Sequence, residues 1–161
     1  MISQDDFRHV LGHFATGVTV ITTTDGDQRP TGLTASAFTS VSLDPPLVLV
    51  CVDHKSQTYP FLRESGRFGI NILHQEHEPI SRRFASSKLD NKFDGVAFRP
   101  GVLGVPLIEG ALAHLECQTV SVHVEGDHTI FVGRVESAQV GDGEPLLYFR
   151  GRYHRLRGEA P

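Results

Sequence analysis

The chain has 161 residues, the length of one domain with room for a sizeable core. Its net charge of −4 gives no strong pull toward nucleic acid, and no apolar run approaches the length of a membrane-spanning helix. The polar, acidic start MISQDDFRHV lacks the basic-then-apolar pattern of a secretory signal, so a cytoplasmic location is expected.

The segment 3–14 reads as a helix. Ser3 and Asp6 form a weak capping box. Phe7, Val10, Leu11 and Phe14 recur at helical spacing and make one apolar stripe, expected to pack on the body of the protein. His9 and His13 stand one turn apart without an acidic or Cys partner in a metal-ligand pattern, so no metal site is expected. Residues 17–24 alternate as a strand. Asp25-Gly26 is a hairpin signal, and the chain returns through Pro30 as an antiparallel partner.

Residues 31–42 are dense in small hydroxyl side chains: Thr31, Thr34, Ser36, Thr39, Ser40 and Ser42, with Gly32, Ala35 and Ala37 between them. Such a segment can bring its backbone close to a flat ligand and offer hydroxyl and amide hydrogen bonds at low steric cost. Asp44-Pro45-Pro46 forces a turn. The unbroken apolar run 47–52 that follows reads as a strand buried on both faces. Ser56 is placed to cap a helix over 57–65, with Pro60 in its first turn and Gly66 ending it. A helix start among hydroxyls suits phosphate. Read without the rest of the chain, this stretch is equally a hairpin whose hydroxyls face water.

Residues 68–73 form another strand and 77–87 a second helix, with Ile80 and Phe84 on one face. The segment 86–110 is loop-rich, pinned by Phe93 and Phe98. No GxGxxG follows a strand and opens a helix, which excludes a dinucleotide-binding Rossmann unit. Residues 111–125 and 128–140 are long strands about a Gly126-Asp127 turn. The first changes its apolar face between Cys117 and Val120, so a β-bulge is expected near 118–120. Residues 145–153 read as the last strand and 155–161 as a loose tail. Cys51 and Cys117 sit in apolar strands and are read as buried free thiols. No GxSxG, HExxH or P-loop is present, and His128 beside Asp127 has no nucleophile paired with it by spacing. Many antiparallel strands with a few helices on connections make a closed β-barrel rather than a parallel sheet.

In order along the chain stand FATGVTVITT (14–23), GLTASAFTSVSLDPP (32–46), FGINIL (68–73), RRFA (82–85), GDHTIFVGRV (126–135) and YFRGRYH (148–154). With these blocks the chain resembles the short-chain flavin reductase family, the reductase components of two-component flavin-dependent monooxygenases. The resemblance implies a mainly β fold over one domain, 1–161, with its core at about 7–156: the FMN-binding split β-barrel of Greek-key type, with a few short peripheral helices. It implies a homodimer with flavin sites near the interface. It also implies hydride transfer from NADH or NADPH to FMN or FAD, and delivery of the reduced flavin to a partner flavin-dependent monooxygenase.

Carried over to this chain, the resemblance sets Thr34, Ala35, Ser36 and Ala37 along the flavin ring, with Ser40 and Val41 continuing that wall. Cys51, Val52, Asp53, His54, Lys55, Ser56 and Thr58 would hold the ribityl chain and phosphate, and Arg83 and Phe84 would close the phosphate or adenylate side. His128 and the block Phe149, Arg150, Gly151, Arg152 and Tyr153 would face the nicotinamide, with His128 as the catalytic candidate. Gly151 would allow close approach of the cofactor, and Tyr153 would stack, hydrogen-bond or simply pack. Arg83 would grip a phosphate or reach a 2′-phosphate. Two readings stand beside the reductase on the same barrel: a non-catalytic flavin-binding or storage module, and a relative of the pyridoxamine-phosphate oxidases. The latter calls for a more basic phosphate pocket than this sequence offers.

Overall fold

A computed structural model describes residues 1–157. In chain order it contains α1 (Gln4–Leu11), β1 (Thr16–Gly17), β2 (Thr19–Thr24), β3 (Pro30–Ala35), β4 (Phe38–Leu43), β5 (Pro46–Asp53), α2 (Tyr59–Ser65) and β6 (Arg67–Ile72). A 3-10 turn (Gln75–His77) leads to α3 (Glu78–Ala85), then β7 (Phe98–Pro100), β8 (Pro106–Ile108), β9 (Ala113–Glu125), β10 (His128–Val140), β11 (Leu146–Phe149) and β12 (Arg152–Arg155). No helix among the described residues is long and apolar enough to cross a membrane.

Seven strands form one sheet in the order β3-β2-β6-β9-β10-β5-β4, antiparallel throughout. Its two edge strands, β3 and β4, are joined by only Ser36 and Ala37. A flat sheet of that width would hold its edges roughly 29 Å apart, while three Cα steps reach at most about 11 Å. The sheet therefore has to curl until its edges meet, and Ser36-Ala37 marks the seam. The amide of Cys51 donates to Ala37 O at 3.0 Å, pinning the seam onto β5, and the amide of Phe38 donates to Ser36 O at 3.0 Å within the seam itself. A second sheet, β1-β11-β12, and a short β7-β8 pair lie outside the barrel.

The barrel interior is filled by Ile21, Val50, Val52, Phe68, Ile70, Cys117 and Phe131, all buried. Burying a phenylalanine stabilises by about 2 kcal/mol. A second cluster, with Val18, Leu73, Phe84, Phe93 and Leu146, sits under α3 and the 86–98 loop. There Phe93 stacks edge-on against both Phe84 and Phe98, so the loop is pinned as expected.

Several sequence expectations hold in detail. Ser3 caps α1, its hydroxyl accepting the Asp6 amide at 3.0 Å. β2 and β3 pair antiparallel around the Asp25-Gly26 turn. Gly66 ends α2 in the left-handed region, at φ 65°. The bulge falls at Val120: Val132 pairs with Ser121 and Gly133 with Thr119, leaving Val120 without a partner.

Others need correction. The stripe Phe7, Val10, Leu11 and Phe14 does not pack on the barrel; all of it is exposed in the single chain. β5 is not buried on both faces: Val48, Val50 and Val52 point into the core while Leu47, Leu49 and Cys51 are half-buried. Ser56 does not cap α2. The helix starts at Tyr59, and the Ser56 hydroxyl instead accepts the Thr58 amide at 3.2 Å. The segment 145–153 is not one strand but most of a hairpin, β11 and β12, turned at Arg150 and Gly151 (φ 51° and 74°). Of the predicted loose tail, residues 158–161 lie outside the described residues.

Glu116, 1% exposed, is a buried carboxylate beside buried Cys117 on β9. It accepts the amides of Val102 (3.0 Å) and Leu103 (2.7 Å) and so ties the 101–105 turn to β9. Glu116→Gln keeps the shape but replaces one acceptor oxygen by a donor, leaving one of those amides unpaired. The expected cost is about 1.5 kcal/mol, a fall in Tm of about 4 °C, measurable by calorimetry.

Candidate functional site

At the barrel seam lies a cleft of about 990 Å³, at the upper end for a small-molecule site. One wall is Ser36, Ala37, Phe38 and Thr39 with Leu49 and Cys51 from β5. Leu11 and Phe14 from the end of α1, then Ala15 to Thr19, form the second. Tyr148 and Gly151 of the hairpin complete it. The seam residues Ser36 and Ala37 are small and exposed. The consequence is main chain accessible to a flat ligand.

From Cys51 the chain runs into a turn that folds on itself. Asp53 accepts the Lys55 amide through its carboxylate at 2.8 Å and the Ser56 amide through its carbonyl at 3.0 Å. This turn is moored to β10: the His54 amide donates to Asp127 O at 3.0 Å, and His54 Nε2 shares a hydrogen bond with Thr129 Oγ1 at 2.9 Å. Buried Thr129 is also 3.0 Å from the Tyr59 hydroxyl, which in turn accepts from Arg63. The two bonds hold the Tyr59 phenol below its ordinary pKa. Sequence reasoning missed Thr129 and Tyr59. The register that sets Thr129 opposite Val52 is what brings them to this turn.

His128 pairs across the sheet with Asp53. Its side chain is 44% exposed, and Nδ1 lies 2.6 Å from Asp127 Oδ1. That hydrogen bond and the imidazole charge hold the Asp127 carboxyl below its usual range. The predicted companions of His128, Phe149 to Tyr153, lie on the other sheet, in the hairpin whose Leu147 and Tyr148 pair with β1, and the Arg150 amide donates to Gly12 O, just past α1, at 2.8 Å. No hydrogen bond among the described residues joins the two groups.

Of the remaining candidates, Ala35 is buried behind the seam, and the Thr34 hydroxyl is engaged by the Ser81 carbonyl at 2.6 Å. Ser40 and Val41 are exposed on β4 beyond the cleft, Val41 at a bulge. Three of the candidate side chains belong to the interior. Val52 is fully buried. Thr58 is fully buried with its hydroxyl donating to Gly32 O at 2.9 Å. Phe84 is buried against Gly32, where even a Cβ would come within 3.1 Å of the ring. Arg83 is committed to the loop it braces, donating to Lys92 O (2.7 Å) and Asn91 O (3.2 Å). Gly151 is required by the left-handed turn rather than by crowding, since a Cβ there would meet open space. Tyr153 bonds through its hydroxyl to Ser81 at 2.7 Å. Cys51, expected to be buried, lines the cleft, and burial of its other side raises its thiol pKa. The Cys117 thiol is pushed up to about 12, mainly by burial.

A curled antiparallel barrel, opened at a seam of small residues beside an anchored polar turn, defines a split barrel with a ligand-sized cleft at its seam. The flavin reductase like domain matches residues 11–157. An NADH-dependent flavin reductase of Rhodococcus sp is 45% identical over 151 residues, covering 92% of this chain and 84% of the relative. The reductase subunit HsaB of a flavin-dependent monooxygenase of Mycobacterium tuberculosis is 44% identical over 161 residues, covering 98% and 85%. Among solved structures, the NADH:FAD oxidoreductase SgcE6 of Streptomyces globisporus C-1027, in complex with NAD and FAD fragments, superposes with a TM-score of 0.91 at 40% identity, covering 100% and 99%. The chain belongs to the flavin reductase family, and it is an oxidoreductase of that class.

Proposed function

We propose that the protein transfers hydride from NADH or NADPH to FMN or FAD, and that it releases the reduced flavin to a partner flavin-dependent monooxygenase. It works as a cytoplasmic homodimer of one domain per chain. The seam at Ser36 and Ala37 carries this reading: small side chains and main chain facing a cleft large enough for two stacked rings. When bound, the flavin and the nicotinamide supply the redox chemistry themselves. What the chain contributes is alignment at contact distance.

Ser36 and Ala37 form the ring wall, with Thr34 and buried Ala35 setting its backbone from behind. Cys51 and the Asp53, His54, Lys55 and Ser56 turn receive the ribityl chain and phosphate, the turn kept in shape by Thr129 and Tyr59. His128, oriented by Asp127, approaches the nicotinamide. The exposed α1 stripe, continuous with the cleft through Leu11 and Phe14, fits a site completed by a second copy of the chain.

The purified protein, given NADH and added FMN or FAD, is expected to consume the nicotinamide absorbance. Folded protein that fails with both nucleotides and both flavins would refute the activity. Titrating flavin-free protein with FMN and FAD ranks the two. His128→Ala is expected to raise the NADH KM about tenfold, the worth of one hydrogen bond from a charged or polarised donor, with flavin Kd changed less than twofold. The reverse pattern would move His128 to the flavin side.

A further inference from the structure

We propose that Ser81 is a positioning residue for the hydride-donor side of the cleft, holding the β11–β12 hairpin at a fixed height against the Thr34–Ala37 wall. The inference rests on the function proposed above. Ser81 lies on α3 and is fully buried. Its carbonyl accepts the Thr34 hydroxyl at 2.6 Å, and its own hydroxyl is 2.7 Å from the Tyr153 hydroxyl. The Tyr153 ring is covered by the Arg82 guanidinium, 4.8 Å from its centroid, and Arg82 is held in place by Glu78 at 2.7 and 2.9 Å. Across the hairpin Tyr153 pairs with Tyr148, ring centroids 5.2 Å apart, and Tyr148 lines the cleft.

One buried residue thus joins the strand leading into the ring wall to the opposite wall. The hydroxyl at position 81 is not explained by the helix, where alanine is the stronger helix former. Nor is it needed for packing, since alanine leaves out a single oxygen. Its partner is the hairpin. Among the described residues, main-chain bonds hold only one strand of that hairpin to its surroundings: β1 pairs with Leu147 and Tyr148 of β11, Leu146 N donates to Leu73 O at 3.0 Å, and Arg150 N to Gly12 O at 2.8 Å. The Ser81–Tyr153 bond and the Arg82 cover fix the other strand, β12, against α3, and with it the Tyr153 ring that backs Tyr148 at the cleft. With the flavin ring on the seam wall, the occupant that meets Tyr148 is the nicotinamide.

Steady-state kinetics of Ser81→Ala and Tyr153→Phe test this, with flavin Kd and Tm measured on the same preparations. Each is expected to raise the NADH KM about fivefold, the scale of one neutral hydrogen bond, with flavin Kd within twofold and Tm within about 3 °C of wild type. The double variant should be no worse than either single, because both remove the same bond. An unchanged NADH KM in both variants, a shift in flavin Kd instead, or single effects that multiply in the double variant would overturn the assignment. Wild type that fails to oxidise NADH in the presence of flavin would overturn the catalytic reading itself. Active wild type with unaltered variants would overturn only the role of Ser81.

Discussion

Phe14→Asp is expected to convert the proposed dimer to a folded monomer with weakened flavin binding. Phe14 is 77% exposed in the single chain and continues the stripe of Phe7, Val10 and Leu11. Phe14 and Leu11 also form part of the cleft wall. A contiguous exposed apolar patch of this kind marks an interaction surface. A second copy is the natural occupant, because a two-fold axis brings the same stripe to both sides of the contact. At the centre of such an interface the substitution removes an aromatic anchor and strands a carboxylate. A loss on the order of 4 kcal/mol follows, about a thousandfold in dimer Kd. The monomer itself loses no internal contact, so far-UV dichroism should be unchanged. Light scattering across a concentration series, with flavin titration alongside, decides it. Wild type that runs as a monomer, or a variant that stays dimeric, would remove the homodimer from the reading.

The local features were legible wherever turn chemistry or a phase slip announced them. Asp25-Gly26 gave the first hairpin, and the change of apolar face in β9 gave the bulge at Val120. The hairpin at Arg150-Gly151 was hidden because arginine rarely takes the left-handed conformation it adopts here, φ 51°, and 145–153 therefore read as continuous. Glu116 reads as solvent-facing from alternation; only the fold sets the Val102 and Leu103 amides opposite its carboxylate. The site was legible as segments, not as side chains. Strand alternation turns Val52 inward beside Cys51, which faces the cleft. Phe84 and Thr58 were drawn into the site by their neighbours although both belong to the interior. Thr129 escaped notice because its importance lies in its register opposite Val52, a long-range fact that no local pattern carries. The exposed α1 stripe reads in sequence as an ordinary core-facing helix, since periodicity reveals an apolar face but not what covers it.

Ala37→Trp is expected to weaken flavin binding about a hundredfold while leaving the fold intact. Ala37 is exposed at the seam and lines the cleft. Its carbonyl is fixed by the Cys51 amide at 3.0 Å, so the backbone there cannot retreat to make room. An indole at this position projects into the space the ring wall leaves open. A stacked tricyclic ring would lose its contact with the main chain, at a cost on the order of 3 kcal/mol or a hundredfold in Kd. No core contact is lost by enlarging an exposed side chain, so Tm should stay within about 2 °C of wild type. Ala37→Ser, which keeps the side chain small, should bind flavin nearly as wild type does. Flavin fluorescence titration of the three proteins separates the cases. If Ala37→Trp binds FMN and FAD with wild-type affinity, the ring does not lie against the seam.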